Sequence, residues 1–340
     1  MNLPGYEFMS APLWLINILH VITLALHLTA MNFLFGGLVT ILSGRIDNRW
    51  QNPAVQRYVK LLPTAMAATI TLGVAPLLFA QLVYPRQIYS ASIISGWFWL
   101  LIIPVAIAAY YFLYGASFAK AENDRKRLYL WLALIGFVYV SLVYSSVFAL
   151  AENPELCLAT YAANQSGWLL NPDVGSYLFR WLHMILGAIT VGGFFFGWVG
   201  RDNAESYRTG KQFFLWGMAA ASIVGVIYLI SLGDHLRPFM KTPAIWALTV
   251  GAILSAGSIH FYFKKRFASA FVMVLLSMIM MVYTRHHVRL LHLTDHYDPA
   301  TLPLQPQWSI FILFLICFLV AIAAVWYMLK LFFASPRAAD

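Results

Sequence analysis

The chain has 340 residues, of which 61% are hydrophobic and only 10% are charged, and its formal net charge is +9. Its mean hydropathy of +0.73 excludes an ordinary water-soluble globular domain and indicates an integral membrane protein. The positive charge does not indicate a nucleic-acid-binding protein, because it is concentrated in alternate connections between apolar segments.

Apolar runs of about 20 residues or more predict helices that span a membrane. Nine such runs follow one another, and we expect a single membrane domain over residues 1–340 with no soluble domain. The predicted fold class is therefore an all-α integral membrane protein with nine transmembrane helices. The predicted spans are 12–43, 61–84, 92–118, 128–150, 175–199, 212–232, 243–263, 267–292 and 308–333.

Lysine and arginine are concentrated in every second connection, namely 45–60, 120–127, 201–211 and 264–266, and in the C-terminal tail. Connections rich in lysine and arginine face the cytoplasm. We therefore expect the N-terminus outside and the C-terminus in the cytoplasm, in a multi-pass protein of the bacterial inner membrane.

Histidines, and no acidic residues, lie inside the predicted spans. They include His20, His27, His183 and His260, whereas the 13 acidic residues fall at span ends or in connections. An ionisable group in hydrocarbon is costly and usually marks a functional site. Neutral imidazole is a good metal ligand, and heme iron is the metal that membrane histidines usually bind, so we expect heme b. Covalent c-type heme is not expected, because there is no C-x-x-C-H motif.

Seven of the nine histidines would lie in the outer half of the membrane or just above it. His20 and His183 are each about 8 residues, or roughly 12 Å, from the outer end of their spans. The other candidate cofactor ligands are His286, His287 and His292 near the outer end of the eighth span, His27 near mid-membrane and His260 in the inner half.

His20 and His27 are seven residues apart, so they share one helix face roughly 10.5 Å apart along its axis. The axial ligands of one heme come from opposite sides of the ring, so these two histidines would serve different hemes, and two or three hemes are expected in all. Arginine binds carboxylates such as heme propionates in a bidentate manner. The candidate propionate partners are Arg180, Arg237, Arg285 and Arg289.

Helical periodicity groups several of these residues, and each grouping has an ordinary structural alternative. Arg180 lies one turn outward of His183 on the same face. A stripe on the eighth span contains Arg285, Arg289, His292 and His296, while His286 and His287 point elsewhere. Four glycines would either admit a flat macrocycle or serve simple helix packing, namely Gly187, Gly192, Gly193 and Gly197. An isolated membrane histidine could equally bond a neighbouring helix.

Several stretches are similar, in the same order along the chain, to stretches of a known membrane-protein family. They are LHVITLALH in the first span, 72–90 (LGVAPLLFAQLVYPRQIYS), ENPE at 152–155, 169–198 and ISLGDHLR at 230–237. The chain resembles subunit I of the cytochrome bd quinol oxidases, best over residues 12–237. The resemblance implies a nine-span bundle with an outside N-terminus and hemes near the outer face. It also implies that His20 ligates a high-spin heme and His183 a low-spin heme.

The chain departs from this family at functional positions. Residues 246–249 lack the methionine that accompanies the family's low-spin heme, and a histidine, with His286 as the first choice, would replace the family's glutamate on the eighth span. The acidic residues of the family's proton path are missing from 91–118, and the long quinol-binding loop is shortened to residues 233–242. Oxygen reduction requires proton delivery, so these losses count against a terminal oxidase.

We therefore expect a multi-heme b-type cytochrome that carries electrons between the quinone pool and an extracytoplasmic partner, as an electron-transfer subunit of an oxidoreductase complex. The expected partner is a c-type cytochrome or another redox subunit, and a second membrane subunit is a further candidate; no nucleic acid is involved. One alternative is a divergent bd-type oxygen reductase that uses quinol. The other is a cofactor-free transporter or structural membrane subunit.

Overall fold

The computed structural model describes residues 8–120 and 125–334, and in this part of the chain nine helices are long and apolar enough to cross a membrane. The predicted all-helical multi-pass fold is confirmed. The inside–outside orientation stays a prediction, and Arg337 of the basic C-terminal tail lies outside the described residues. The nine helices are α1 (Leu13–Ser43), α2 (Pro53–Val83), α4 (Gly96–Phe118), α5 (Arg125–Ala151), α7 (Gly175–Val199), α8 (Ala204–Ile230), α10 (Ala244–Phe263), α11 (Phe267–Leu293) and α12 (Trp308–Ala334).

Three shorter helices lie in the connections: α3 (Pro85–Ile94), α6 (Pro154–Ala163) and α9 (Leu236–Met240). Both α3 and α6 begin with proline, whose fixed φ suits the first turn and whose missing N–H would have no partner there. The connections also contain the 3-10 turns Gly233–His235 and Pro299–Thr301.

Two spans begin well before the apolar runs that predicted them. Helix α2 starts at Pro53 because the Asn52 side chain accepts hydrogen bonds from the backbone N–H groups of Ala54 and Val55. Helix α8 starts at Ala204, where Asn203 accepts from the N–H of Ser206. Both helices therefore extend through a polar turn that a hydropathy window does not detect.

The chain forms two compact units. Among the described residues, the first contains 17–120 and 125–298, and the second contains 8–16 and 299–334. In the second unit, Met9 forms a parallel bridge with Leu304, and its N–H donates to the carbonyl of Pro303 at 2.8 Å. The same unit contains α12, whose most apolar 18-residue stretch has no buried residue.

The backbones of α1 and α7 touch directly at glycines. A Cβ added at Gly192 would lie 2.1 Å from the carbonyl carbon of Gly36, and one added at Gly36 would lie 1.8 Å from the carbonyl oxygen of Ala188. Small residues allow membrane helices to approach this closely, and van der Waals packing then holds them together. This contact fixes the helix of His20 and His27 against the helix of His183.

Next to this contact, Tyr58 joins α2 to α1. Its ring stacks on Phe33 with centroids 4.4 Å apart, and its hydroxyl donates to the Phe33 carbonyl at 2.7 Å. Tyr58 is completely buried. Its hydroxyl is therefore satisfied within the core, as a buried donor requires.

We expect Gly192→Ala to destabilise the protein by about 1–3 kcal/mol, because the added methyl group overlaps backbone atoms that cannot rotate away. The thermal unfolding midpoint of the detergent-purified protein measures this effect. Gly257→Ala is the matched control, because its Cβ would meet only Met273 Sδ, at an ordinary 3.8 Å. Equal midpoints for the two variants would contradict the close α1–α7 contact.

Candidate functional site

Both histidines of α1 bond to the backbone of α2. His20 Nδ1 lies 3.1 Å from the Pro76 carbonyl, and His27 Nδ1 lies 2.9 Å from the Thr69 carbonyl. A carbonyl only accepts, so Nδ1 carries the proton, and in a neutral imidazole the lone pair is left on Nε2. Histidines that ligate metals are commonly oriented by such a bond from the other ring nitrogen.

His183 repeats this arrangement between α7 and α8. Its Nδ1 lies 2.8 Å from the carbonyl of Ala221. Within the described residues, no hydrogen bond reaches Nε2 of His20, His27 or His183. These three histidines, all predicted inside the membrane, therefore have one ring nitrogen fixed and the other available.

A small residue follows each accepting carbonyl by four positions. Gly73 follows Thr69, and a Cβ at Gly73 would lie 2.8 Å from Cε1 of His27. Gly225 follows Ala221, and a Cβ there would lie 2.9 Å from Cε1 of His183. Each imidazole thus occupies the space that a side chain on the neighbouring helix would fill. The third acceptor, Pro76, is followed by Ala80, the smallest residue after glycine.

Among the histidines of α11, His286 is the one that lies near His20. Both line one narrow space, together with Arg289. His286 is buried, and its Nδ1 has no hydrogen-bond partner among the described residues. His287 instead bonds back to the Tyr283 carbonyl of its own helix at 3.2 Å.

Three of the arginines predicted to bind propionates converge on Glu152, the residue that follows α5. Nη1 of Arg180 is 3.2 Å from Oε2 of Glu152, Nε of Arg289 is 3.1 Å from Oε1, and Arg285 pairs with the same carboxylate. His292 adds its Nδ1 at 3.6 Å. We call Glu152, Arg180, Arg285, Arg289 and His292 the Glu152 cluster.

Glu152 is the main site residue that the sequence interpretation missed. The sequence places it, with the other acidic residues, at a span end or in a connection, yet its side chain is only 5% exposed. The signal for it was an acidic residue directly after an apolar run and directly before Asn153-Pro154, where a new helix begins. A chain that turns sharply at this point can leave the carboxylate on the inner side of the turn.

The arginines determine the charge state of Glu152. Burial alone would raise the pKa of this carboxyl, but Arg285, His292, Arg180 and Arg289 favour the ionised form and hold its pKa well below the usual range. Arg289 also lies over the Tyr84 ring, with its guanidinium carbon 5.5 Å from the ring centroid. Glu152 is therefore a structural anion at neutral pH.

Several predicted residues lie outside this cluster. His260 is exposed in the last turn of α10, and Arg237 is exposed in α9. The stripe predicted on the eighth span ends at His292, because α11 stops at Leu293 and His296 lies in the turn beyond it. The ring of His292 packs instead against His235, with centroids 4.7 Å apart.

Helix packing accounts for three of the four α7 glycines that were candidates for admitting a macrocycle. In addition to Gly192, Cβ atoms at Gly193 and Gly197 would meet Phe213 and the Tyr262 hydroxyl at 2.6 and 1.8 Å. A Cβ at Gly187, one turn from His183, would have nothing within 4 Å. Of the four, only Gly187 borders open space.

The donor atoms fit heme iron, while the space between His20 and His286 is small. Imidazoles with Nδ1 bonded to a carbonyl and Nε2 available have the chemistry of axial ligands. The space that both residues line is closed and does not admit even a water-sized molecule. Binding a porphyrin between these two histidines would therefore require the lining side chains to move apart.

A comparison of the sequence with protein-family models finds no match, and a comparison with curated proteins also finds none. Within the described residues, no group of three or more histidine, cysteine or acidic side chains could hold a metal ion.

We expect Glu152→Gln to destabilise the protein by about 3–5 kcal/mol, because it removes the charge that balances buried arginines. The thermal unfolding midpoint in detergent measures the loss. Glu155→Gln, an exposed neighbour in the first turn of α6, should leave the midpoint unchanged. A similar midpoint for both variants would show that the cluster contributes nothing to stability.

The stabilisation by Glu152 should also depend on pH. The pKa of Glu152 is lower in the folded protein than in the unfolded chain, where a glutamate titrates at about 4.3. The stabilisation should therefore be complete above that unfolded value and decrease as the pH falls towards the folded value. The difference in midpoint between wild type and Glu152→Gln should stay constant from pH 8 to pH 5 and shrink below about pH 4.3. A difference that shrinks already above pH 6 would contradict the lowered pKa.

Proposed function

We propose that this chain is a multi-heme b-type membrane cytochrome, which carries electrons between the quinone pool and an extracytoplasmic redox partner such as a c-type cytochrome. One observation carries the proposal: His20, His27 and His183 share one arrangement. In each, Nδ1 bonds to a carbonyl of the neighbouring helix, beside a small residue. A histidine that merely links two helices gains nothing from keeping its second nitrogen available.

In this proposal, His183 holds one heme, and His20 with His286 holds another near the outer face. His27 is the candidate ligand of a deeper heme, because it has the same arrangement two turns further along α1. Heme would supply one-electron chemistry, while the protein sets the potential through ligands, burial and nearby charge. His260, which is exposed, has less support as a ligand.

The residues of the chain would give the hemes fixed positions and a defined electrostatic field. The backbone carbonyls of Thr69, Pro76 and Ala221 hold the imidazoles in one tautomer and orientation. The arginines of the Glu152 cluster lie on the same helices as two of the candidate ligands, α7 with His183 and α11 with His286. Quinone and a location in the bacterial inner membrane are taken into the proposal from the resemblance to bd-type subunit I, and the family's quinol-binding loop is shortened here to residues 233–242.

A reduced-minus-oxidised spectrum with pyridine hemochrome quantification tests the proposal. We expect two or three b-type hemes per chain, and His183→Ala should remove one low-spin heme because it removes an axial ligand. His296→Ala is the matched control, since His296 is exposed beyond α11. Purified, folded protein without a Soret band would refute the proposal and leave a cofactor-free membrane subunit.

A second variant separates ligand loss from misfolding. Gly225→Ala retains the imidazole of His183, but its Cβ would lie 2.9 Å from the ring and displace it. We expect a shifted or weakened low-spin signal in a chain that still folds. An unchanged spectrum in both His183→Ala and Gly225→Ala would exclude His183 as a ligand.

A further inference from the structure

The first turn of α5 is strongly basic. Arg125, Lys126 and Arg127 are its first three residues, and this turn contains no acidic residue. The N–H groups at the start of a helix already create a positive potential, so cations are unfavourable there and an anion is favoured. The first turns of α6 and α8 instead contain the acidic residues Glu155 and Glu205.

Lys126 is buried without a negative partner. Only 5% of this residue is exposed, and lysine is rarely covered to this extent unless it is paired. Among the described residues, the ion pairs other than those of Glu152 join Arg201 to Asp202, so no carboxylate there pairs with Lys126. Lys60 of α2 lies close enough for its charge to repel that of Lys126. A bound anion would relieve both the burial of this charge and the repulsion.

Further cations lie at the same end of the bundle. Arg49, in the connection between α1 and α2, donates to the carbonyls of Leu42 and Gly44 at 2.7 and 2.6 Å, which fixes its guanidinium beside the end of α1. Burial and the nearby charge of Arg127 lower the pKa of Arg49, which still remains charged at neutral pH. Cations from two chain segments therefore meet here. We call Arg49, Lys60, Lys126 and Arg127 the α5 basic cluster.

The acidic residues nearby in the sequence do not neutralise this cluster. Residues 44–60 contain four basic residues and one acidic residue, and residues 119–128 contain four basic and two acidic residues. The two segments together therefore have a net charge of +5. In another basic connection, by contrast, the ammonium group of Lys265 lies over the ring of Tyr207, 5.4 Å from its centroid. The α5 basic cluster thus has positive charge available for a ligand.

The position of the cluster selects the ligand. Exposed apolar side chains begin directly beside the cations, because Leu61 follows Lys60, Leu128 follows Arg127, and Trp131 lies one turn further along α5. A phospholipid presents its charged phosphate and its acyl chains in this order, and basic clusters at the ends of membrane helices attract anionic headgroups. Such a lipid contacts the outer surface of the bundle, so its binding requires no internal cavity.

We propose that the α5 basic cluster binds the phosphate group of an anionic phospholipid, whose acyl chains lie along the exposed apolar side chains of α2 and α5. The recognised group is a phosphate, and a free phosphate ion has the same chemistry. The apolar side chains next to the cations favour the lipid.

The experiment measures thermal unfolding of the purified full chain in a neutral detergent during titration with three ligands. They are phosphatidylglycerol, which is anionic, phosphatidylcholine, which is zwitterionic, and sodium phosphate. We expect a saturable rise in the midpoint with phosphatidylglycerol, a much smaller rise with phosphatidylcholine and none with phosphate. An equal rise with phosphate would overturn the lipid assignment, and equal rises with the two lipids would show that headgroup charge is not recognised.

Lys60→Gln is the first variant, because Lys60 is exposed and its removal also relieves the repulsion of Lys126. We expect its ligand-free midpoint to equal or exceed that of wild type, while phosphatidylglycerol binds about fivefold more weakly. Lys264→Gln removes the same charge from an exposed lysine in another basic connection and is the matched control. It should bind phosphatidylglycerol as wild type does.

Lys126→Gln is the second variant, because it removes the buried cation itself. We expect a ligand-free midpoint no lower than that of wild type and at least the loss of lipid affinity that Lys60→Gln shows. The proposal is overturned if Lys60→Gln and Lys126→Gln bind phosphatidylglycerol as tightly as Lys264→Gln. None of these measurements involves heme, so their result is independent of the proposed function.

Discussion

The ion pairs between Glu152 and three arginines are the constraint around which one end of the helix bundle is arranged. The carboxylate lies at the end of α5, Arg180 is on α7, and Arg285 and Arg289 are on α11. None of these arginines could be buried at its position without an anion nearby. The cluster therefore sets how α7 and α11 are rotated where they meet the end of α5.

This rotation also determines where the candidate ligands lie. His183 is one turn from Arg180. His286 directly follows Arg285 and lies one turn before Arg289. Fixing the arginines on Glu152 thus fixes the directions of both imidazoles. The glycine contact between α1 and α7 does the same for His20 and His27, because it sets the distance between the two backbones.

Hydropathy was sufficient to predict the nine spans, because each must present about 20 apolar residues to lipid. It did not predict that α2 starts at Pro53, since the added turns are polar and depend on the Asn52 cap. Periodicity placed Arg285, Arg289 and His292 on one stripe, and all three contact Glu152. It could not identify Glu152 itself, because the depth of a residue after a helix end depends on the turn that follows.

The histidines show a similar limit of sequence reasoning. Their positions in apolar runs predicted a site, but which of His286 and His287 lies near His20 depends on the rotation of α11. The roles of Gly73 and Gly225 depend on contacts with another helix, which no local pattern contains. Of the four candidate glycines Gly187, Gly192, Gly193 and Gly197, three serve packing, so their clustering in sequence does not by itself indicate a macrocycle.

The uneven distribution of charge bears on the direction of electron flow in the proposed cytochrome. Ferric heme carries one more positive charge than ferrous heme, so nearby guanidinium groups favour the reduced state and raise the potential. His286 lies beside the net positive Glu152 cluster, whereas His27 is two turns deeper than His20 on α1. A heme on His20 and His286 would therefore have a higher potential than one on His27. In the proposed orientation, electrons would move favourably from the membrane interior towards the outer face, where an extracytoplasmic partner could accept them.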